Sequence, residues 1–307
     1  TGIGEAIAGA ILLGMATSLS GTIVSVTVAR DGFASLAYAN SIGGIAAQTA
    51  FLAIADVVYR KANLEHAAAD LANIFQAVTL IVLLTLPLLA TALTEVSVLA
   101  VHPVSLVIPA IYLGSLVATR ALHETPMWRP VDTAETRTDL PQEESAQARR
   151  TSTTRLFILF GLLMLLMGSA GWTIAKTAGA VTARLELSET LVGALATAVV
   201  TSLPELVTTV AAVRRGALQL AVGGIIGGNT FDTLFLTAAD VSYRDGSLYH
   251  AATINDQFWT LTAILMTAIL LSGLVLRQRT GPGRIGVESL AILVVYAGAV
   301  TLQVLNF

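Results

Sequence analysis

The chain is expected to fold as an all-α integral membrane protein built from two inverted repeats, and three observations predict this. Over 307 residues, 55% are hydrophobic and only 12% charged, about half the charged share of soluble proteins, and the mean hydropathy is +0.77. Residues 5–68 return without a gap as residues 189–252, shifted by 184 positions, with Thr17-Ser18-Leu19 over Thr201-Ser202-Leu203, Gly43-Gly44 over Gly227-Gly228, Ala55-Asp56-Val57 over Ala239-Asp240-Val241 and Tyr59-Arg60 over Tyr243-Arg244. If spans alternate in direction, Lys and Arg divide thirteen to four between the two sides.

Apolar stretches of spanning length fall at 3–29, 34–58, 71–93, 96–118, 155–179, 187–213, 217–241, 256–277 and 285–305, which predicts nine helices. A helix at 155–179 precedes the second repeat, and its counterpart in the first half would lie ahead of Thr1. Nine helices of an expected five plus five is the simplest reading. The halves are then 1–118, lacking its first helix, and 155–307, joined by a loop at 119–154. That loop carries Pro126, Pro130, Pro141 and most of the mixed charge, and reads as solvated. The side rich in Lys and Arg is cytoplasmic by the positive-inside rule, so the loop is placed there, in a multi-pass protein of a prokaryotic cytoplasmic membrane.

Five spans separate equivalent positions of the two repeats, an odd number, so the copies enter the bilayer in opposite directions. Inverted repeats of this kind place a substrate site near the midplane, where the repeats meet. Glu205 lies within the span 187–213, and an uncompensated carboxylate there would cost at least ~2.5 kcal/mol. Thr201 stands one turn earlier, and Pro204 cannot donate to the carbonyl of Val200, so a hydroxyl and a free backbone oxygen are expected beside the carboxylate. Asp232 is a second intramembrane acid, with Asn229 one turn before it and Gly223, Gly224, Gly227 and Gly228 upstream at spacings that admit close helix packing. Carboxylate, hydroxyl and carbonyl oxygens suit hard cations. Two neighbouring carboxylates in an apolar site need a cation or a proton between them.

TSLPEL (201–206) followed by GGIIGGNTFD (223–232) resembles the signature repeat of the calcium/cation antiporter superfamily, of sodium/calcium exchanger and cation/proton exchanger type. Gly168 to Val181 and LSETLVG (187–193) extend the resemblance. It implies a ten-helix bundle of two inverted halves and exchange of Ca2+ or another metal cation against H+ or Na+ by alternating access. It also implies that Thr201, Ser202, Glu205, Asn229 and Asp232 sit at the ion-site positions, with Gly228 where the family has serine. The first repeat departs from that pattern. Gly21 stands where the family has glutamate, Ser20 in place of proline, Ile45 in place of asparagine, Gly44 in place of serine and Gln48 in place of asparagine or aspartate, while Thr17 and Ser18 are retained. The expected cation ligands are therefore Glu205, Asp232, Gln48, Thr17, Ser18, Thr201, Ser202 and Asn229, with an empty place at Gly21. Ca2+, Mg2+, Na+ and K+ all stay open. A non-transporting scaffold or cation sensor is the competing reading, motivated by the acid lost at Gly21.

No cofactor is implied; the partners are inorganic cations, protons and the lipid bilayer, and no feature sets an oligomeric state. Nothing resembles a catalytic triad, a phosphate loop, a zinc motif or a nucleic-acid-binding patch, so no enzyme is expected. The chain has no cysteine, which excludes disulfides. Asp56 with Arg60 and Asp240 with Arg244 stand at i, i+4 near span ends and read as interfacial ion pairs. His66 and His250 read as surface residues, and His102, before Pro103, as a capping or loop residue.

Overall fold

The computed structural model describes residues 14, 16–59, 61–136, 152–281 and 285–305. Its helices are α1 (Leu19–Arg30), α2 (Ala34–Tyr59), α3 (Leu64–Ala67), α4 (Leu71–Ala92), α5 (Val104–Glu124), α6 (Thr153–Leu185), α7 (Glu189–Thr201), α8 (Leu203–Arg215), α9 (Leu218–Asp232), α10 (Leu234–Ser242), α11 (Leu248–Ala251), α12 (Ile254–Leu276) and α13 (Val287–Leu305). Six of these are long and apolar enough to cross a membrane, seven with the bent pair α7–α8, among the described residues. The part of the first expected span before Gly14 lies outside them.

The bundle is organised around α2, whose apolar window is 83% buried, whereas that of α6 is only 6% buried. The sequence explains both. α2 carries Ala, Gly and Ser on every side, so other helices pack all round it; α1, α7, α8, α9, α12 and α13 all do so. α6 turns Phe157, Leu162, Leu165 and Leu166 outward, as a helix facing lipid does. Backbones come closest where α2 crosses α7. A methyl group on Gly43 would lie 2.6 Å from Cα of Ala194, and one on Gly193 would lie 2.8 Å from the Leu36 carbonyl oxygen. Only glycine fits such crossings. The same stretch of α7, Val192–Thr197, is wound as a π-helix, which the sequence did not announce.

Two expected spans are broken. The span 187–213 divides at Ser202 into α7 and α8, bent by 43°, and Pro204 falls in the first turn of α8, where its missing N–H is not needed. The span 217–241 divides at Thr233 into α9 and α10. The span expected at 96–118 starts later, at Val104. Val98 and Val101 exchange both backbone hydrogen bonds at 3.0 Å, and Leu99 and Ala100 turn the chain between them with φ of 55° and 64°. Two non-glycine residues in the left-handed region are uncommon, so the apolar run read as the start of a helix.

The repeat offset of 184 continues beyond the aligned segment, and it explains a pair of buried aspartates. Asp56 Oδ1 accepts from the Leu64 amide at 2.7 Å and Oδ2 from the Gly286 amide at 2.8 Å. Asp240 Oδ1 accepts from the Leu248 amide at 2.9 Å and Oδ2 from the His102 amide at 2.8 Å. Each aspartate thus holds a short helix of its own half and a helix entry of the other half. This corrects the expected pair of Asp240 with Arg244: Asp240 is fully buried, and Arg244 is exposed and donates to the Val241 carbonyl instead; for the expected pair of Asp56 with Arg60, Arg60 lies outside the described residues.

The histidines follow the same offset. His66 Nδ1 bonds the Arg277 carbonyl at 2.6 Å and His250 Nε2 the Leu93 carbonyl at 3.0 Å. His66 is buried rather than on the surface, because residues 131–136 of the loop fold over it: Thr133 bonds His66 Nε2 at 2.9 Å, Arg277 donates to the Val131 carbonyl, and Glu135 pairs with Arg279. The described start of the loop is therefore docked rather than free in solvent. His102 takes the expected capping role, its Nδ1 accepting from the Val104 amide at 3.2 Å.

Candidate functional site

α2, α8 and α9 pack against one another at the centre of the bundle, with the residues just ahead of α1 closing one side. The break at Ser202 decides which atoms meet there. Residues 201–203 cannot continue one straight helix, so α8 begins anew and Glu205 falls in its first turn. Glu205 and Asp232 are both buried, at 6% and 2% exposure. No ion pair among the described residues involves either of them.

Asp232 is held from both sides by the other half of the molecule. Ser18 Oγ donates to its Oδ1 at 2.7 Å, and Gln48 Nε2 to its Oδ2 at 2.6 Å. Gln48 Nε2 also lies 3.3 Å from Ser202 Oγ. The carboxylate fixes the direction of the Gln48 amide, since only the nitrogen can donate, and this leaves Gln48 Oε1 buried without a donor. Asn229 is fixed in the same manner. Thr49 gives its hydroxyl proton to the Ile45 carbonyl at 2.8 Å, so it must accept from Asn229 Nδ2 at 3.0 Å. Asn229 Oδ1 is then buried and unpartnered as well. Glu205 interacts with the Thr17 side chain and its own backbone amide, while its Oε2 has no partner.

Seven of the eight expected ligands are thus brought together: Glu205, Asp232, Gln48, Thr17, Ser18, Ser202 and Asn229. Thr201 is the exception. Its hydroxyl turns back on its own helix, to the carbonyls of Thr197 at 2.9 Å and Ala198 at 3.3 Å, a common habit of threonine in membrane helices. The Thr201 carbonyl, freed at the break, faces Ser20 Oγ at 3.4 Å instead.

The place matching Glu205 in the first half is Gly21, and it is not empty. A methyl group there would stand 2.7 Å from Cε2 of Phe235. That ring is buried and set edge-on to Phe231, with centroids 6.2 Å apart, and Phe231 is in turn edge-on to Tyr112 at 5.9 Å. Phe235 is the site residue that the sequence reading missed. Thr49 was missed too, although it is repeated 184 residues later as Thr233.

Three buried oxygens, on Glu205, Gln48 and Asn229, therefore lack donors close to two carboxylates that lack a basic partner. An unpaired buried acceptor costs roughly 1–3 kcal/mol. A hard cation would satisfy such oxygens, and the donor set fits one. It contains two acids only, and among the described residues no group of three or more acidic or histidine side chains is placed to hold a metal ion.

The fold is that of a solved transporter. The sodium-calcium exchanger NCX_Mj, soaked with 100 mM Na+ and 10 mM Sr2+, superposes with a TM-score of 0.62 over 96% of this chain and 86% of that one, at 16% identity. The same protein soaked with 2.5 mM Na+ and 0.1 mM Ca2+ gives a TM-score of 0.62 over 96% and 85%, also at 16% identity. In sequence, the inner membrane protein YrbG of Escherichia coli (strain K12) is 30% identical over 128 residues, 42% of this chain and 38% of YrbG. The putative antiporter CaxA of Alkalimonas amylolytica is 29% identical over 143 residues, 47% of this chain and 43% of CaxA. The matches thus span less than half the length of either relative. The sequence profile of the sodium/calcium exchanger protein family, a family of transporters rather than enzymes, matches residues 1–119 and 155–305. With that profile running through both halves, the chain belongs to the sodium/calcium exchanger family.

Proposed function

We propose that the protein is a secondary active cation antiporter whose ion binds between Glu205 and Asp232. A single observation carries this reading: two buried acids without basic partners stand among three oxygen acceptors without donors. Glu205 Oε2, Gln48 Oε1 and Asn229 Oδ1 are the free ligands. Ser18 and Gln48 position Asp232, Ser202 accepts from Gln48, and Thr17 steadies Glu205. Exchange follows if Ca2+ or another metal cation and the counter-ion, H+ or Na+, use these acids in turn, with the two halves rocking to expose them to each face. Two acids balance one divalent ion, and Phe235 leaves no room for a third acid at Gly21. The thirteen-to-four division of basic residues supports a cytoplasmic position for the loop at 119–154.

The test is cation flux into proteoliposomes under an imposed Na+ or pH gradient. Wild type should accumulate the cation, and Glu205→Gln, which keeps the shape and removes the charge, should abolish uptake. Uptake undiminished in Glu205→Gln would remove Glu205 from the site.

One observation favours a second reading, a non-transporting cation sensor or scaffold: the ring of Phe235 against Gly21 packs the two halves where the other half keeps an acid. Saturable cation binding to purified protein with no flux in liposomes would select that reading.

A further inference from the structure

The two buried aspartates that join the halves have nearly the same surroundings, and one difference between them is chemical. Around Asp240, Ser105 Oγ donates to Oδ2 at 2.6 Å and lies 2.9 Å from the Tyr249 hydroxyl. Every oxygen there has a partner, and the network holds a single carboxylate. The equivalents around Asp56 are Ser289 for Ser105 and Glu65 for Tyr249. Ser289 Oγ donates to Glu65 Oε1 at 2.9 Å. Glu65 Oε2 has no donor, although Glu65 is only 3% exposed.

That oxygen and one oxygen of Asp56 border the same spot beside Gly286. A methyl placed on Gly286 would touch Glu65 Oε2 at 3.1 Å, Asp56 Oδ2 at 3.3 Å and Ser289 Oγ at 3.5 Å, so the three oxygens surround one point. Among the described residues, the charged groups packed around it are acidic. α13 contributes Glu288, whose Cγ lies beside Gly273 of α12 together with Cγ of Glu65. Among the described residues the nearby cations point elsewhere: Lys61 is exposed, Arg277 bonds the carbonyls of His66 and Val131 and the Thr136 hydroxyl, and Arg279 pairs with Glu135. The His66 ring bonds Arg277 and Thr133. Two carboxylates facing each other in a buried site, with no donor between them, require one.

We propose that Glu65 and Asp56 hold a proton between them, a second proton-binding site separate from Glu205 and Asp232. It lies eight residues, or about 12 Å, along α2 from Gln48. The proton sits on Glu65 Oε2 and is donated to Asp56, completing the network that Tyr249 completes without a proton in the other half. Bound, it fastens the start of α13 to the corner between α2 and α3. Released, it leaves two like charges at a junction between the halves.

The direction of the pH effect follows from Glu65, which lies in the connection between α2 and α4. Burial first, and then the neighbouring Asp56 charge, pushes its carboxyl up from 4.5 to about 7. A raised folded-state value means that the stabilising contribution is complete below about 4.5 and is lost as pH rises through about 7.

The test is an infrared pH titration of the purified full-length chain in detergent, from about pH 4 to about pH 9 to bracket ordinary and raised carboxyl values. Wild type should lose a protonated-carboxyl band near neutral pH. Glu65→Gln and Glu65→Tyr, the latter copying Tyr249, should both lack that component while keeping every other carboxyl band. In melting experiments they should also lack the fall in Tm that wild type shows as pH rises through neutrality. The proposal is overturned if wild type shows no carboxyl titrating near neutral pH, or if the component persists unchanged in either variant. A metal cation between Glu65 and Asp56, in place of a proton, would appear as a wild type with no such band at any pH, and would equally overturn it.

Discussion

Gly21→Ala tests how the molecule fills the place left by the absent acid. The added methyl would stand 2.7 Å from Cε2 of Phe235, with Cζ at 3.4 Å and Cδ2 at 3.6 Å. Ordinary contact begins near 3.4 Å, so the ring has to retreat by about 0.7 Å. It cannot do so freely, because Phe231 stands against it, nearly perpendicular at 87°. Overpacking of this kind costs about 1–3 kcal/mol, whereas alanine in place of glycine gains about 1 kcal/mol in a helix. Strain wins, and Gly21→Ala should lower stability by about 1 kcal/mol in a wild-type background. In a Phe235→Ala background the clash is gone and only the helix gain remains, so the same substitution should raise stability by about 1 kcal/mol. The coupling between the sites, about 1–3 kcal/mol, is read from thermal melting of the four proteins in one detergent. For a chain of this size 1 kcal/mol shifts Tm by about 2 °C, so the two backgrounds should show shifts of opposite sign. Equal shifts in both backgrounds would refute the assignment of Phe235 as the group that closes the place of Gly21.

Gly21→Glu alone should leave cation affinity unchanged or the protein misfolded, since the side chain meets Phe235, whereas Gly21→Glu with Phe235→Ala should bind a divalent cation more tightly, as calorimetric titration would show; no gain in the double variant would contradict the proposed site. Asp240→Asn should lower stability by about 1–3 kcal/mol, because an amide nitrogen must then face one of the donors Leu248 N, His102 N or Ser105 Oγ. Arg244→Ala, at an exposed residue, should leave the melting temperature within error, and a large fall there would restore the ion pair expected from the sequence.

What could be read from the sequence divides by the kind of signal. The helices and their repetition were legible because burial in lipid writes long apolar runs, and because an offset of 184 residues pairs each position with its counterpart. The same pairing brings out Ser18 and Ser202, whereas Asp232 stands out as an acid inside an apolar span and Gln48 only through the resemblance to the family's repeat. The start of α5 was hidden because Leu99 and Ala100 make a turn with residues that ordinarily avoid it. The hydroxyl of Thr201 was misplaced because i, i+4 spacing describes a continuous helix, and the chain breaks one residue later. Phe235 gave no signal: a phenylalanine in an apolar span looks the same facing lipid or facing Gly21. The aspartates misled for a related reason. An arginine four residues on suggests a pair, yet a buried carboxylate near a helix end is served better by backbone amides, which need no flexible side chain to be ordered.

The two halves keep different things in common. Both retain the aspartate that accepts two backbone amides, one from each half, and both retain the serine that completes its surroundings. These contacts position the helix ends, and a change in either would tilt one half against the other. The charged groups obey no such constraint. Acid is present at Glu205 and absent at Gly21; it is present at Glu65 and absent at Tyr249. The half that lost its central acid therefore carries an extra one at its end. Symmetry in the hydrogen bonds to the backbone is what the inverted scaffold requires, since each half packs against the other's equivalent surface. Charge is set one position at a time, by whether the facing half supplies a cation, a proton or an aromatic ring. At Gly21 the facing half supplies Phe235, and at Glu65 it supplies the Ser289 donor, while the Asp56 carboxylate comes from the same half as Glu65. A carboxylate restored at Gly21 would thus need Phe235 to leave first, and the one at Glu65 persists because a proton can stand where Tyr249 supplies a hydroxyl.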